Sequence, residues 1–314
     1  DWEPLKAFLK SYQPAPINIA LDSEYPVVIA EKAWGHIVTS FPQSNASNKA
    51  HKPFIHHFKG GAFRSQIPED AIVEVSGLSK SQLAGIRSRL DASKLTYTIT
   101  ELAASTANAQ ATQLISVKGK SAHSSKPEYG INAISHLANA LSRIPWQPSS
   151  AANAVRFLND QVGIGIHARK FGDIAYAHDF MGPMTLSPTL VYKNEQQDTE
   201  LFINLRRPLG KSSAQLKQQI RDVYEKWQQT NHFTATLKEV YIGEPLMVQN
   251  APHVPTLLNV FSHFTNISNP KPIAIGGSTN AKLFPNAVSF GPSMPNTEYT
   301  GHSEHEFITE QQFK

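Results

Sequence analysis

From about Ala33 to Gly243 the chain repeats one theme: short β-forming runs, a stretch with helical spacing, then β-forming runs again. "KPFIHHF" and "AIVEV" read as strands joined through a Gly60–Gly61 turn. A helix follows, capped by Ser79 and carrying Leu83, Ile86 and Leu90 on one face. "LTYTITEL" and "TQLISVKG" are two more strands, and Ile134, Leu137, Ala138 and Leu141 mark a helix stopped by Pro145. The strand "LFINLRRPLG", the helix of Leu216, Ile220, Val223 and Trp227, and the strand "FTATLKEVYIG" complete the series. Antiparallel strands with helices on one face form an α+β sandwich, here expected to be ferredoxin-like, either single or duplicated. Residues 150–187 yield only loops and a short helix.

The flanks differ. Trp2, Leu5, Phe8, Leu9 and Tyr12 outline a helix closed by Pro14, "INIALD" reads as a short buried strand ending at Asp22, and "PVVIAEK" begins another. After Pro245 come a helix (Leu257, Leu258, Phe261, Phe264) and a strand–turn–strand end. The expected fold class is α/β. One domain is built from residues 1–35 and 250–314, and a smaller-patterned α+β domain, residues 36–249, is inserted into it.

With 314 residues, 40% of them hydrophobic and 17% charged, the chain can bury full cores. No apolar run approaches the roughly 18 residues of a membrane span. The net charge of +4 is scattered, without the basic stripe that nucleic acid requires. Neither a membrane nor a nucleic-acid partner is expected. The absence of cysteine excludes disulfides, a thiol nucleophile and thiolate metal sites, leaving His and carboxylates as ligands. The chain opens on Asp1-Trp2-Glu3, without Met or a signal-peptide n-region, which reads as an internal start. The compartment stays open between periplasm and cytoplasm.

Four segments carry candidate chemistry. Asp22 ends a strand, where ligand groups collect in α/β sheets, or merely caps the turn before Pro26. His123, in the small-residue loop "GKSAHSSKP", is either an accessible oxyanion donor or an ordinary loop histidine. Arg206 in "INLRRPLG" suits a carboxylate or a surface ion pair, and Arg207 points to the opposite strand face. His302, four residues before Glu306, is either a zinc ligand or part of a surface turn. The Gly276-Gly277-Ser278-Thr279 turn precedes that end, with glycines that permit close approach to a ligand.

In order, "LDSEYPVVIAEK", "GGAFRSQIPEDA", "GKSAHSSKPEYGINAI", "INLRRPLG", "IGGSTNAKLFPNAVSFGP" and "GHSEHEF" resemble the co-catalytic zinc peptidase family. That family includes carnosinase, Xaa-His dipeptidase, carboxypeptidase G, and the acetylornithine and succinyl-diaminopimelate deacylases. The likeness runs nearly end to end and is strongest to bacterial monomeric dipeptidases. It implies a zinc-exopeptidase-like catalytic domain with an inserted lid and two zinc ions in the intact enzyme. Asp22 would bind one zinc and His302 the other. His123 would polarise the scissile carbonyl and stabilise the oxyanion. Arg206 would hold the substrate's C-terminal carboxylate, helped by Gly276, Gly277, Ser278 and Thr279. The family's lid asparagine is replaced by Ser65, which puts a substrate contact there in doubt.

The family's His-x-Asp and Glu-Glu motifs, which supply the remaining metal ligands and the general base, occur nowhere in this sequence. The chain thus resembles the C-terminal two-thirds of such an enzyme. Alone it is expected to be inactive, to bind zinc weakly or not at all, and to require the N-terminal half, on the same or a separate polypeptide. The implied substrate is a short peptide with a free carboxylate. An N-acyl amino acid deacylase and a non-catalytic peptide-binding or assembly module are the alternatives. The long lid favours a monomer over a lid-mediated dimer.

Overall fold

The computed structural model describes residues 2–43, 52–102, 111–297 and 307–310. Helix α1 (Glu3–Ser11) and strands β1 (Asn18–Ala20) and β2 (Val28–Glu31) open it. There follow β3 (Ala33–Phe41), β4 (Phe54–Gly60), β5 (Asp70–Ser76), α2 (Lys80–Ser93), β6 (Thr96–Leu102) and β7 (Thr112–Lys118). Next come α3 (Ala133–Leu141), α4 (Ser150–Phe157), β8 (Thr185–Lys193), β9 (Thr199–Arg207), α5 (Ser213–Asn231) and β10 (Thr236–Ile242). Helix α6 (Val254–Thr265), β11 (Ile273–Ile275) and β12 (Ala287–Ser289) are the last of the larger elements.

Eight strands form one antiparallel sheet in the order β10-β3-β9-β8-β4-β5-β7-β6. Each half contains a split β-α-β unit. In one, α2 carries the chain from β5 over β7 to β6; in the other, α5 carries it from β9 over β3 to β10. The layer is therefore a duplicated ferredoxin-like arrangement. Residues of all four helices α2–α5 pack with the sheet in one core. Strand alternation divides the faces: Leu201, Ile203 and Leu205 of β9 enter that core, while Phe202, Asn204 and Arg206 point to the opposite, helix-free face. Helix α2 begins as expected at Ser79, whose hydroxyl accepts from Gln82 N–H in a capping box.

Strand β8 begins at the end of the stretch that the sequence leaves as loops and a short helix, and runs on through residues to which the sequence assigns no element. Pro188 breaks the strand pattern there, and the register against β9 shifts between Pro188 and Leu190, a bulge that accommodates the ring. The two half-sheets join at β8 and β4, paired at Val191 and Gly60. At this seam Gly61 has φ +78°, and a Cβ there would lie 1.9 Å from the Thr189 carbonyl oxygen. Gly61→Ala is expected to destabilise the chain by about 2–5 kcal/mol, combining left-handed backbone strain with overpacking. Urea unfolding of the two proteins measures it.

The smaller sheet centres on β2, which pairs in parallel with β11 and antiparallel with Leu246–Met247, and touches β12 at Ser289. Strand β1 lies parallel to β12 at the edge. "INIALD" is not the buried strand its apolar content suggests: Ile19 is 44% and Leu21 73% exposed. Ile17, Ile19 and Leu21 alternate onto one face of this segment, and no element among the described residues covers that face; β1 also has a strand partner on one side only. The chain leaves this sheet at Lys32 and re-enters it at Leu246. Among the described residues no helix is long and apolar enough to cross a membrane.

Candidate active site

A cleft of about 990 Å³ lies between the helix-free face of the large sheet and the loops of the small one. Asp22, His123, Arg206, Gly277, Ser278 and Thr279 all line it. His302 and Glu306 lie outside the described residues.

His123 sits on a two-residue strand, Ala122–His123, paired antiparallel to Gln66–Ile67. Ser124 N–H donates to the Ser65 carbonyl at 2.8 Å, fastening the histidine loop beside Ser65, which also lines the cleft. Ser125 N–H donates to His123 Nδ1 at 3.3 Å, and Ser125 Oγ lies 2.6 Å from the same nitrogen. A backbone N–H can only donate, so Nδ1 is the acceptor and the neutral ring carries its proton on Nε2. That tautomer is an N–H donor suited to a developing oxyanion.

Arg206, 4% exposed, donates through Nη2 to Ser124 Oγ at 2.8 Å and through Nε to Asn204 Oδ1 at 3.3 Å. The arginine and the histidine loop are thus one hydrogen-bonded unit. Arg207 points the other way, as strand alternation requires, and binds the Gly243 and Lys211 carbonyls and the Glu244 carboxylate.

The Gly-Gly-Ser-Thr turn is held from below by Glu31, a residue the sequence does not single out. Its carboxylate, 2% exposed, accepts from Thr279 N–H at 2.8 Å and from the Thr279 and Ser289 hydroxyls. Ser278 Oγ donates to the Lys32 carbonyl at 2.7 Å. The Ser278 and Thr279 hydroxyls therefore anchor the turn. Gly276 does not line the cleft; it passes under the histidine loop, where a Cβ would stand 2.1 Å from the Ser125 carbonyl oxygen. Lys282 adds a cation the sequence reading missed: it lines the cleft, its Nζ lies 3.4 Å from Ser278 Oγ, and it is close enough to Arg206 for mutual repulsion. Burial pushes its pKa down, Glu31 pulls it up and Arg206 adds to the lowering. A pair of cations at one end of a cleft suits a carboxylate. Lys126 and Glu24, 2.8 Å apart, bridge the histidine loop to the segment after Asp22. The signals for Glu31 and Lys282 were an acidic residue ending an apolar strand and a lysine one helical turn beyond Ser278.

Burial raises the Glu31 carboxyl above its ordinary 4.5, against hydrogen bonds from Thr279 and Ser289 and the charge of Lys282. The folded chain then holds this proton more tightly than the unfolded one. The corresponding stability is present below the ordinary value and is lost as pH rises through the raised one. Glu31→Gln is expected to flatten stability across that window, read as urea midpoints from about pH 4 to 7.

Zinc requires about four ligands in a defined site. Among the described residues no group of three or more His, Cys, Asp or Glu could hold a metal ion, and Asp22 is the only sequence-derived ligand they contain. The described residues therefore do not fit a zinc ion by themselves, and no catalytic step is derived through one.

Residues 106–228 match the M20 peptidase dimerisation domain. The Beta-Ala-Xaa dipeptidase of Lactobacillus delbrueckii subsp. lactis is 27% identical over 317 residues, covering 98% of this chain and 62% of that protein. The chain spans 62% to 64% of the length of the first curated relatives it matches. Among solved structures, the aminoacylhistidine dipeptidase of Vibrio alginolyticus aligns over 88% of this chain and 59% of its own, at TM-score 0.41 and 11% identity. Human carnosine dipeptidase 1 aligns over 94% and 55%, at TM-score 0.38 and 9% identity.

Proposed function

We propose that the chain is the lid and the C-terminal part of the catalytic domain of a zinc-dependent dipeptidase of the M20 family, whose dimerisation domain residues 106–228 match. The observation that carries this reading is the meeting of His123, Arg206 and the Gly277–Thr279 turn on one cleft. Arg206, with Lys282 beside it, holds the free C-terminal carboxylate of a short peptide. The Nε2–H of His123 donates to the scissile carbonyl oxygen as negative charge develops on it. Asp22 and His302 would be this chain's donors to a zinc pair whose remaining ligands the described residues do not contain, and such a pair would supply an activated water in the intact enzyme.

The other ligands and the general base are proposed to come from an N-terminal half, on the same or another polypeptide. The open edge of β1 supports this, because it can take a further strand, and so does the exposed apolar face of Ile17, Ile19 and Leu21, which a further layer would cover. Alone, the chain is proposed to be inactive and to bind zinc weakly. The joined half-sheets support a monomer that covers its own site.

Zinc titration and hydrolysis assays test this on the chain and on the protein that includes the N-terminal half. Dipeptides, dipeptide amides and N-acetyl amino acids form the substrate panel. Turnover of dipeptides by the longer protein alone is the expected result. Two tight zinc ions and turnover by the chain alone would refute the half-site proposal, and a preference for N-acetyl amino acids would favour a deacylase.

A further inference from the structure

The helix-free face of the large sheet carries an aromatic wall that nothing in the proposed chemistry uses. Trp34, His36 and Tyr241 line the same cleft as Arg206 and His123. The Trp34 ring lies 4.7 Å from the His36 ring and 5.3 Å from that of Tyr241. His36 is stacked between Tyr241 at 5.6 Å and Phe202 at 4.9 Å. His36 is 5% exposed, and burial pushes its pKa down despite Glu239 Oε1 at 3.1 Å from Nε2, so the ring is neutral near pH 7. Tyr241, by contrast, is 47% exposed and also lines the cleft.

Register fixes where this wall stands relative to the carboxylate site. Trp34 is the direct cross-strand partner of Arg206, and His36 is the partner of Asn204 on one side and Tyr241 on the other. Directly opposed residues share a face, with Cβ atoms about 5 Å apart. That register stands Trp34 next to Arg206 on the cleft wall, within reach of the side chain of a residue whose carboxylate meets Arg206.

We propose that Trp34, His36 and Tyr241 form the subsite for the side chain of the substrate's C-terminal residue, and that it selects aromatic side chains. The inference rests on the dipeptidase reading and deepens it. A flat aromatic wall gives a phenyl or phenol ring offset-stacked or edge-on contacts and removes its surface from water. Glycine gains nothing there. An aspartate side chain would give up its hydration there for ring faces whose negative quadrupole disfavours an anion.

The test is the substrate panel Ala-Gly, Ala-Asp, Ala-Lys and Ala-Phe on the full-length protein and its Trp34→Ala and Trp34→Phe variants. Unmodified protein should favour Ala-Phe over Ala-Gly by about 30-fold in kcat/KM, the discrimination an apolar pocket can supply. In Trp34→Ala that ratio should fall to a few-fold, and in Trp34→Phe it should be largely kept. A ratio near one in the unmodified protein overturns the subsite while leaving the dipeptidase reading standing, as does a ratio unchanged in Trp34→Ala. Best turnover of Ala-Lys also overturns it, since the rings would then be serving a cation. If no dipeptide is cleaved but N-acetyl amino acids are, the dipeptidase reading fails. The subsite is then judged separately, by whether N-acetyl-Phe outruns N-acetyl-Gly. Should Trp34→Ala not fold, the Trp34→Leu variant, which keeps bulk without a π face, must lower the same ratio.

Discussion

Arg206→Met in the full-length protein should raise KM for dipeptides by about 100-fold or more. Truncating one partner of a desolvated, hydrogen-bonded charge pair typically removes about 2–5 kcal/mol of binding, much of it from the abandoned partner. On the proposed reading the abandoned partner is the substrate carboxylate. The guanidinium is already fixed by Ser124 and Asn204, so little side-chain freedom is lost when it captures an anion. Arg206→Lys should fall between the two, because it keeps the charge without the planar fork. Dipeptide amides provide the control: their KM should hardly change. An equal loss on amides and free acids would show that Arg206 supports the fold of the cleft and does not bind the carboxylate.

His123→Ala should act on a different constant. Removing one oxyanion donor costs roughly 10²–10³ in kcat, with KM nearly constant, because the hydrogen bond strengthens only as charge develops. Ser125→Ala should be mild by comparison. The backbone N–H of Ser125 still donates to Nδ1, so the proton stays on Nε2 when the hydroxyl is gone. Steady-state kinetics on the three proteins separates the roles. A rise in KM with little change in kcat for His123→Ala would place the ring in ground-state binding instead.

The periodic parts of the fold were legible because each strand or helix states its own period. Helix α2 announces its start with Ser79 and its face with Ile86 and Leu90, which are fully buried. Strand β8 was illegible for the converse reason: Pro188 normally argues against an inner strand, and the bulge that tolerates it exists only against β9. The apolar letters of β1 say nothing about whether a neighbour covers them. Among the residues that line the cleft, those with loud local context could be singled out from the sequence: His123 among small residues, Arg206 at a strand end, the glycine turn. Glu31 was silent because its role depends on Thr279 and Ser289, about 250 residues away along the chain. Trp34 was silent because its importance comes from standing opposite Arg206, a cross-strand fact that no local window contains.

The seam between β8 and β4 has a kinetic meaning as well. Each half-sheet closes the inner edge of the other, and both belong to one polypeptide, so the join forms at a fixed effective concentration set by the intervening chain. A sheet joined from two molecules would come apart on dilution. Here the platform under Arg206 and Trp34 is completed in a unimolecular step, and at this seam its integrity is indifferent to how much of the protein is present.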